Sequence, residues 1–258
     1  MDASTIDLCL SSFPWADFRA TKGAIKLHVG LDHNGILPSF ITVTDGKKTE
    51  VARTLKFPKG SIVACDRGYN DYQWYQQLTD KGVYFVTRLK SNAKYRITER
   101  REVNRQQGLK SDHTIEFTDI QTRKRYAAPL RRVSYRDPLT GQHYVFLTNH
   151  FALSAKTITD IYKQRWQIEL FFKWIKQNLK IKTFMGTSKN AVLTKIWIAM
   201  CVYLMLAIIK FQSQLRCSLQ QILRVLQFNL FAKRDLLGLL RGDPPRKSMA
   251  NPDQMLLI

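Results

Sequence analysis

The periodicity of the apolar residues changes twice along the chain, and this change limits the possible folds more than any other feature. Residues 1–90 alternate between short strand-like and helix-like runs, residues 91–150 contain strand-like runs between polar turns, and residues 151–240 are helical. Strands mixed with helices predict an α/β domain, and a block of strands within it predicts a β-rich insertion. A loose, proline-containing tail is predicted for residues 241–258.

Three predicted strands stand out in the first ninety residues, and the third ends on an acid. Residues 24–32 alternate apolar and polar side chains, and residues 39–44 form a second strand after the turn-forming pair Asn34-Gly35. This pattern predicts an antiparallel hairpin. Residues 61–66 form a short apolar run that ends on Asp66, which is typical of a buried strand.

The net charge of the chain points to a polyanionic partner. The 258 residues contain 41 Lys and Arg against 20 Asp and Glu, which gives a net charge of +21. Residues 88–137 alone contain 14 basic and 6 acidic side chains, a local excess of 14 − 6 = +8. Such an excess favours nucleic acid as the partner over an anionic membrane surface, although a merely basic soluble protein is also compatible with it.

Membrane insertion and secretion are not indicated by the sequence. The apolar run over residues 196–209 is shorter than the roughly 20 residues of a spanning helix, so a buried core helix is predicted there. The first ten residues contain Asp2 and lack the basic start of a signal peptide. A cytoplasmic protein is therefore expected.

Cysteine and histidine residues are scattered and form no zinc-binding pattern. The four cysteines include no Cys-x-x-Cys pair, and the five histidines are equally dispersed: Cys9, Cys65, Cys201 and Cys217; His28, His33, His113, His143 and His150. This distribution is typical of reduced intracellular thiols and excludes the common structural zinc motifs.

A predicted helix over residues 161–179 aligns four polar side chains. At about 100° per residue, Tyr162, Arg165, Glu169 and Lys176 fall within roughly 60° of one another, beside an apolar stripe. The strip is therefore expected at the edge of the core. In a solvated strip, Arg165 and Glu169 would form only a surface ion pair that contributes a few tenths of a kcal/mol.

The same four residues carry a family resemblance. Tyr-x2-Arg-x3-Glu-x6-Lys resembles the signature of insertion sequence 4 type transposases, and the segments DASTIDLCLSSFPWADFRATKGAIKLH, VACDRGYNDY and KTFMGTSKNAVLTKIWIAM are similar to that family as well. The resemblance extends over nearly the whole chain. It implies a ribonuclease H-like mixed sheet with flanking helices, interrupted by a β-rich insertion.

The resemblance also implies the site residues. Asp2, Asp66 and Glu169 match the DDE triad, which would hold two Mg²⁺ or Mn²⁺ ions through hard carboxylate oxygens. Three further residues of the signature are expected to contact DNA phosphates: Tyr162, Arg165 and Lys176.

The implied activity is DNA strand cleavage and strand transfer at the ends of an insertion sequence. The expected partners are the double-stranded transposon ends and the target DNA, with a homodimer on paired ends, no membrane, and a bacterial cytoplasmic, nucleoid-associated location. The implied domains are a first catalytic part at 1–90, the β-rich insertion at 91–150, the rest of the catalytic domain with the C-terminal helices at 151–240, and a tail at 241–258.

Two alternatives remain open at this point. Only one residue precedes Asp2, and the N-terminal helical region of the family has no counterpart in the sequence, so a truncated chain is predicted. Such a chain could be a non-catalytic DNA-binding remnant that interferes with a full-length transposase. A nuclease of the same fold, which would cut without requiring specific ends, is the third possibility.

Overall fold

The computed structural model describes residues 1–19, 22–32, 37–45, 51–214, 217–229, 231 and 235–244. The chain divides into two compact units, Met1–Leu193 and Thr194–Ile258. The strands are β1 Asp2–Leu8, β2 Asp17–Arg19, β3 Lys22–Leu31, β4 Pro38–Asp45, β5 Ile62–Ala64, β6 Tyr84–Arg88, β7 Tyr95–Arg101, β8 Leu109–Phe117, β9 Leu130–Arg136 and β10 His143–Thr148. The α-helices are α1 Val51–Thr54, α2 Tyr72–Asp80, α3 Ile120–Arg125, α4 Ala155–Gln164, α5 Trp166–Asn178, α6 Lys189–Ser213, α7 Leu219–Phe228 and α8 Leu236–Arg241.

The first sheet is built around β3, which pairs antiparallel with β1, β2 and β4. The register places Asp2 opposite Val29. Most side chains of β3 are buried on both faces, as expected for a strand in the middle of a covered sheet. The predicted strand pair is therefore confirmed, whereas the predicted Asn34-Gly35 turn lies outside the described residues.

The second sheet has the strand order β5-β6-β10-β9-β8-β7. Only β5 and β6 run parallel, and the remaining neighbours are antiparallel. The segment predicted to be a β-rich insertion, residues 91–150, contributes β7, β8, β9 and β10 to the sheet that contains β5 and β6. It also contains the short helix α3, which was not predicted and which Asp119 caps through the backbone N–H of Thr122.

The start of β1 joins the end of β5. The N-terminal amine of Met1 donates a hydrogen bond to the carbonyl of Ala64 (2.6 Å), and the N–H of Asp66 donates to the carbonyl of Met1 (3.3 Å). These two bonds flank Cys65 in the pattern of a parallel strand pair. The two sheets are therefore in hydrogen-bonded contact, and Asp2 lies next to the strand that precedes Asp66.

One helix expected from the sequence is in fact two. The predicted helix over residues 161–179 is divided at Arg165, between α4 and α5. Arg165 bonds to the carbonyl of Tyr162 and accepts from the N–H of Ile168, so both bonds span three residues where a regular α-helix spans four. This local tightening explains the break, although Arg165 itself keeps right-handed helical backbone angles.

Helix α6 is longer than the apolar run from which it was predicted. Within the described parts of the chain, one helix, Lys189–Gln212, is long and apolar enough to cross a membrane by length and composition. Of its most apolar 18 residues, 33% are buried. A long core helix passes the same test, so this is weak evidence for a membrane. The predicted burial is only partial, because Trp197, Met205 and Phe211 are exposed.

Candidate active site

Asp2 is the first residue of β1 and is largely enclosed. One carboxylate oxygen accepts a hydrogen bond from the N–H of Ala3 (2.7 Å). Burial raises the pKa of Asp2 above its usual range, the guanidinium of Arg165 opposes this shift, and the neighbouring Asp66 carboxylate adds to it. The pKa of Asp2 thus reports a partly desolvated acid that lies close to both Arg165 and Asp66.

Asp66 follows β5 by two residues and begins a short turn. Its carboxylate accepts from the N–H of Gly68 (2.9 Å), which caps the 3₁₀ turn Arg67–Tyr69. Tyr69 is buried in this turn, and its hydroxyl lies 2.6 Å from Nδ1 of His28 on β3. The other ring nitrogen of His28 lies 3.0 Å from the hydroxyl of Thr44 on β4. The turn that presents Asp66 is therefore fixed to the first sheet.

Arg165 joins two of the three predicted acids. Its Nη1 lies 2.5 Å from Oδ2 of Asp2, and its Nη2 lies 2.7 Å from Oε1 of Glu169. The side chain of Arg165 is 11% exposed, that of Asp2 17% and that of Glu169 36%. The pair predicted from the helical spacing is therefore mostly buried, and it extends to an acid 163 positions away in the sequence.

Tyr162 packs beside this cluster. Its ring is buried against Phe146 at a centroid distance of 4.9 Å, and the guanidinium carbon of Arg165 lies 5.3 Å from the ring centroid. Burial raises the pKa of Tyr162 to about 12, Arg165 opposes this shift, and Asp66 adds to it. The phenol is therefore protonated at neutral pH and can act as a hydrogen-bond donor.

Lys176 lies farther along α5 than the acid cluster. Its ammonium group donates to the carbonyl of Thr5 on β1 (3.3 Å). Burial lowers the pKa of Lys176, and the nearby Lys182 lowers it further. Lys176 thus holds α5 against β1 and remains on the same strip as Glu169.

The predicted residues are brought together to different degrees. Asp2, Arg165 and Glu169 are in direct contact, and Asp66 is close enough to change the pKa of Asp2 and Tyr162. Within the described parts of the chain, no three residues of the types His, Cys, Asp and Glu lie close enough together to hold a metal ion. Two carboxylates instead meet on one guanidinium.

Sequence reasoning missed the support of the Asp66 turn. His28 was considered only as a dispersed histidine, and Tyr69 only as part of the segment VACDRGYNDY. The strand alternation places His28 on β3, but its partner Tyr69 lies 41 positions away. No spacing rule links these two residues, because their contact depends on how the turn docks on the sheet.

An α/β domain of two joined sheets presents one acid on a strand, one after a strand and one on a helix, and a known protein family matches it. The family model described as "Transposase DDE domain" matches residues 1–205. This match covers more than half of the chain, so the protein belongs to the transposase DDE domain family.

Three relatives agree with this assignment. A protein assigned as transposase y4zB of Sinorhizobium fredii is 30% identical over 92% of this chain and 68% of its own length. A protein assigned as the transposase of insertion sequence element IS5377 of Geobacillus stearothermophilus is 28% identical over 94% of this chain and 63% of its own length. One assigned to element IS4SA of Synechocystis is 25% identical over 71% and 52%, respectively.

These matches confirm the resemblance to insertion sequence 4 transposases that the signature predicted. The chain spans between about half and two thirds of the length of the curated relatives that it matches. The activity, substrates and partners of the whole protein are therefore matters for proposal.

Proposed function

We propose that this chain forms the catalytic core of an insertion-sequence transposase, which cleaves DNA at the ends of the element and transfers the cut strand to a target. The observation that carries this proposal is the convergence of Asp2 and Glu169, from β1 and α5, on one buried cation. Two ionised acids that converge repel each other unless a positive charge lies between them or one of them takes up a proton. A site that concentrates carboxylates is what metal-assisted phosphodiester chemistry requires.

The strand arrangement supports a ribonuclease H-like core. Across the junction at Met1, the order is β4-β3-β1 followed by β5-β6, with β1 in the middle and parallel to β5. Of the two aspartates of the predicted triad, Asp2 therefore lies on β1 and Asp66 lies just after the neighbouring strand β5. In this proposal residues 1–90 and 151–240 contribute the catalytic domain and C-terminal helices, residues 91–150 the insertion, and residues 241–258 the tail.

The donor set fits a hard divalent cation. Carboxylate oxygens are the ligands that Mg²⁺ and Mn²⁺ prefer, and Asp2 and Glu169 already direct one oxygen each at a single positive group. Asp66 would complete the set from the turn that it caps. Two bound ions would activate the attacking oxygen and stabilise the leaving oxygen.

A basic groove beside Asp66 supports DNA as the substrate. The turn and helix start at residues 68–72 form its floor, and Arg53, Lys90 and Arg125 line its sides around a volume of about 300 Å³. Arg53 pairs with Asp71 at 2.5 Å, whereas Lys90 and Arg125 are exposed. The lining carries three cations and one carboxylate, which suits a phosphate backbone that leads away from the proposed site.

The binding experiment uses a variant with both Lys90 and Arg125 replaced by Gln, compared with the double Gln variant of the helix neighbours Arg123 and Lys124. Each phosphate contact that is lost should lower the slope of log affinity against log salt by about one. We expect a loss of about two in the groove variant and a smaller change in the control. Equal slopes in the two variants would contradict the groove as a DNA path.

The catalytic experiment measures cleavage of DNA carrying the element's ends, with Mn²⁺ and without it, in the parent and in Asp66→Asn. Metal-dependent cleavage in the parent alone supports the transposase. Binding without any cleavage supports the alternative of a non-catalytic remnant that interferes with a longer transposase. One observation favours that alternative: within the described residues, no three acids are assembled for a metal. A homodimer on paired ends remains a prediction of the resemblance.

A further inference from the structure

Arg165 occupies the position between two carboxylates that the proposed chemistry assigns to a metal. Both of its terminal nitrogens are engaged with acids, one from β1 and one from α5. Its Nε is buried and has no hydrogen-bond partner within the described residues. The guanidinium is thus bound strongly at two nitrogens and incompletely at the third.

The contacts that Arg165 makes compete with metal binding at the same oxygens. Oδ2 of Asp2 and Oε1 of Glu169 each accept a charge-assisted hydrogen bond from Arg165 at 2.5 and 2.7 Å. Each of these hydrogen bonds occupies one lone pair of the oxygen that accepts it, and a metal ion bound at the remaining lone pairs would lie beside the guanidinium and be repelled by it. Binding of one positive group therefore disfavours binding of the other.

Arg165 also stabilises the pair of acids before any metal binds. Two carboxylates that are held close together without a positive charge destabilise each other. Arg165 offsets this repulsion and keeps Asp2 and Glu169 in a shared location. It therefore acts as a positioning residue for the acids before any metal is bound.

On the basis of the proposed metal site, we propose that Arg165 is an exchangeable counter-ion that holds Asp2 and Glu169 together until a divalent cation displaces it. The displaced guanidinium is then available to a DNA phosphate. In this exchange Arg165 has two successive partners, first the acid pair and then a phosphate. Metal binding is the event that moves Arg165 from the first partner to the second.

Two consequences follow from the exchange. Arg165 lowers the affinity of the site for metal, because its ion pairs must be broken when the metal binds. Metal binding also raises the affinity for DNA, since it releases a phosphate-binding group. By linkage, DNA must raise the metal affinity by the same factor.

The first experiment measures Mn²⁺ binding to the whole chain by titration calorimetry and by the electron paramagnetic resonance of free Mn²⁺. Arg165→Gln removes the competing charge and should bind Mn²⁺ at least about tenfold more tightly than the parent. Arg165→Lys keeps the charge but loses the two-pronged contact, so it should fall between the two. A thermal melt of each variant establishes that it is folded.

Lys163→Gln is the matched control. Lys163 lies two positions from Arg165 and pairs with Asp137 (2.9 Å) and Tyr135 (2.8 Å), which belong to the insertion. Its replacement removes one positive charge, as Arg165→Gln does, and leaves the contacts of Asp2 and Glu169 unchanged. We expect the Mn²⁺ affinity of this variant to stay close to that of the parent.

The outcomes separate this inference from the function on which it rests. Equal or weaker Mn²⁺ binding in folded Arg165→Gln, with measurable binding in the parent, overturns the counter-ion role and leaves the metal site intact. Absence of binding in every variant overturns the metal site itself. A merely structural role for Arg165 predicts weaker binding, which is the opposite of the expected result.

The second experiment tests the release of the guanidinium. DNA affinity is measured with Mn²⁺ and without it, on duplexes whose strands already end at the cleavage position, so that no bond is left to cut and all three acids are kept. The chain with Arg165 intact should bind DNA more tightly when Mn²⁺ is present, and Arg165→Gln should show a smaller gain. Equal gains would overturn the transfer of Arg165 to a phosphate.

Discussion

Replacing Arg131 with Met should destabilise the first unit more than any change at its surface. Arg131 lies on β9, is 4% exposed, and forms two hydrogen bonds to the equally buried Asp112, at 2.9 and 2.6 Å. Its Nη1 also points at three backbone carbonyls of the loop ahead of α4, those of His150, Phe151 and Leu153. One side chain thus connects β8 and β9 to the segment that leads to Tyr162.

The magnitude follows from what the substitution leaves behind. Removing one partner of a buried ion pair costs about 3–5 kcal/mol, because the remaining charge is buried without compensation. Nη1 of Arg101 lies 3.6 Å from Asp112 and compensates in part, so we expect a loss near the lower end, about 3 kcal/mol. In a unit of this size, that loss corresponds to a decrease of roughly 6–12 °C in the melting temperature.

The assay is a urea titration and thermal melt of the parent, Arg131→Met, and the double variant Arg131→Met with Asp112→Leu. The double variant removes both charges and should recover at least about 1 kcal/mol relative to the single variant. A loss below about 1 kcal/mol in Arg131→Met would show that the pair contributes no more than a surface ion pair. A double variant no more stable than the single one would refute the argument from the uncompensated charge.

Three further predictions concern the site and its support. Glu169→Gln should abolish metal-dependent cleavage and leave DNA binding largely intact, as measured on gels and by filter binding; a variant that still cuts removes Glu169 from the triad. Burial, with a smaller effect from Lys26, lowers the pKa of His28 to about 4. As the pH falls, the unfolded chain therefore takes up a proton at this residue before the folded chain does. The contribution of His28 to the free energy of unfolding should be fully present above about pH 6.5 and fall by up to about 3 kcal/mol towards pH 4. Denaturant titrations across this range should show a flatter profile in His28→Gln, and an unchanged profile would contradict the assignment. Gly108→Ala should destabilise the first unit by at least about 1–3 kcal/mol in the same titrations, since Gly108 has a φ of +81° and a Cβ would lie 2.5 Å from the carbonyl of Arg136. Gly141→Ala, at a φ of +70° where a Cβ would make only an ordinary contact of 4.0 Å with the Arg136 side chain, should show only the backbone strain.

Secondary structure was predicted correctly where a single local pattern, such as alternation or a short apolar run, defined the element. The alternation over residues 24–32 identified β3, and the apolar run that ends at Asp66 identified β5, although the strand stops at Ala64. Asp66 instead caps the turn that follows. Helix α3 was missed because its signals are short: Asp119 is a good cap, but the helix has only six residues and none of them is buried.

Longer helices were predicted less accurately at their interior. The strip formed by Tyr162, Arg165 and Glu169 survives in the structure, yet the helix is broken within it. Ideal periodicity cannot reveal this break, because Arg165 retains helical backbone angles and only the hydrogen-bond spacing changes. The likeness to the family was read from the same residues, and the family match confirms it.

The site illustrates what spacing can and cannot determine. A separation of four positions places Arg165 beside Glu169 on any helix, but it does not identify the group that faces them across the domain. That group is Asp2 on β1, the strand whose Thr5 carbonyl also accepts a hydrogen bond from Lys176 of α5. The resemblance assigns Arg165 to DNA phosphate, whereas the structure places it on two acids. Both assignments hold only if the arginine exchanges partners, so the effect of Mn²⁺ on DNA affinity in the parent and in Arg165→Gln decides between a fixed ion pair and an exchangeable one.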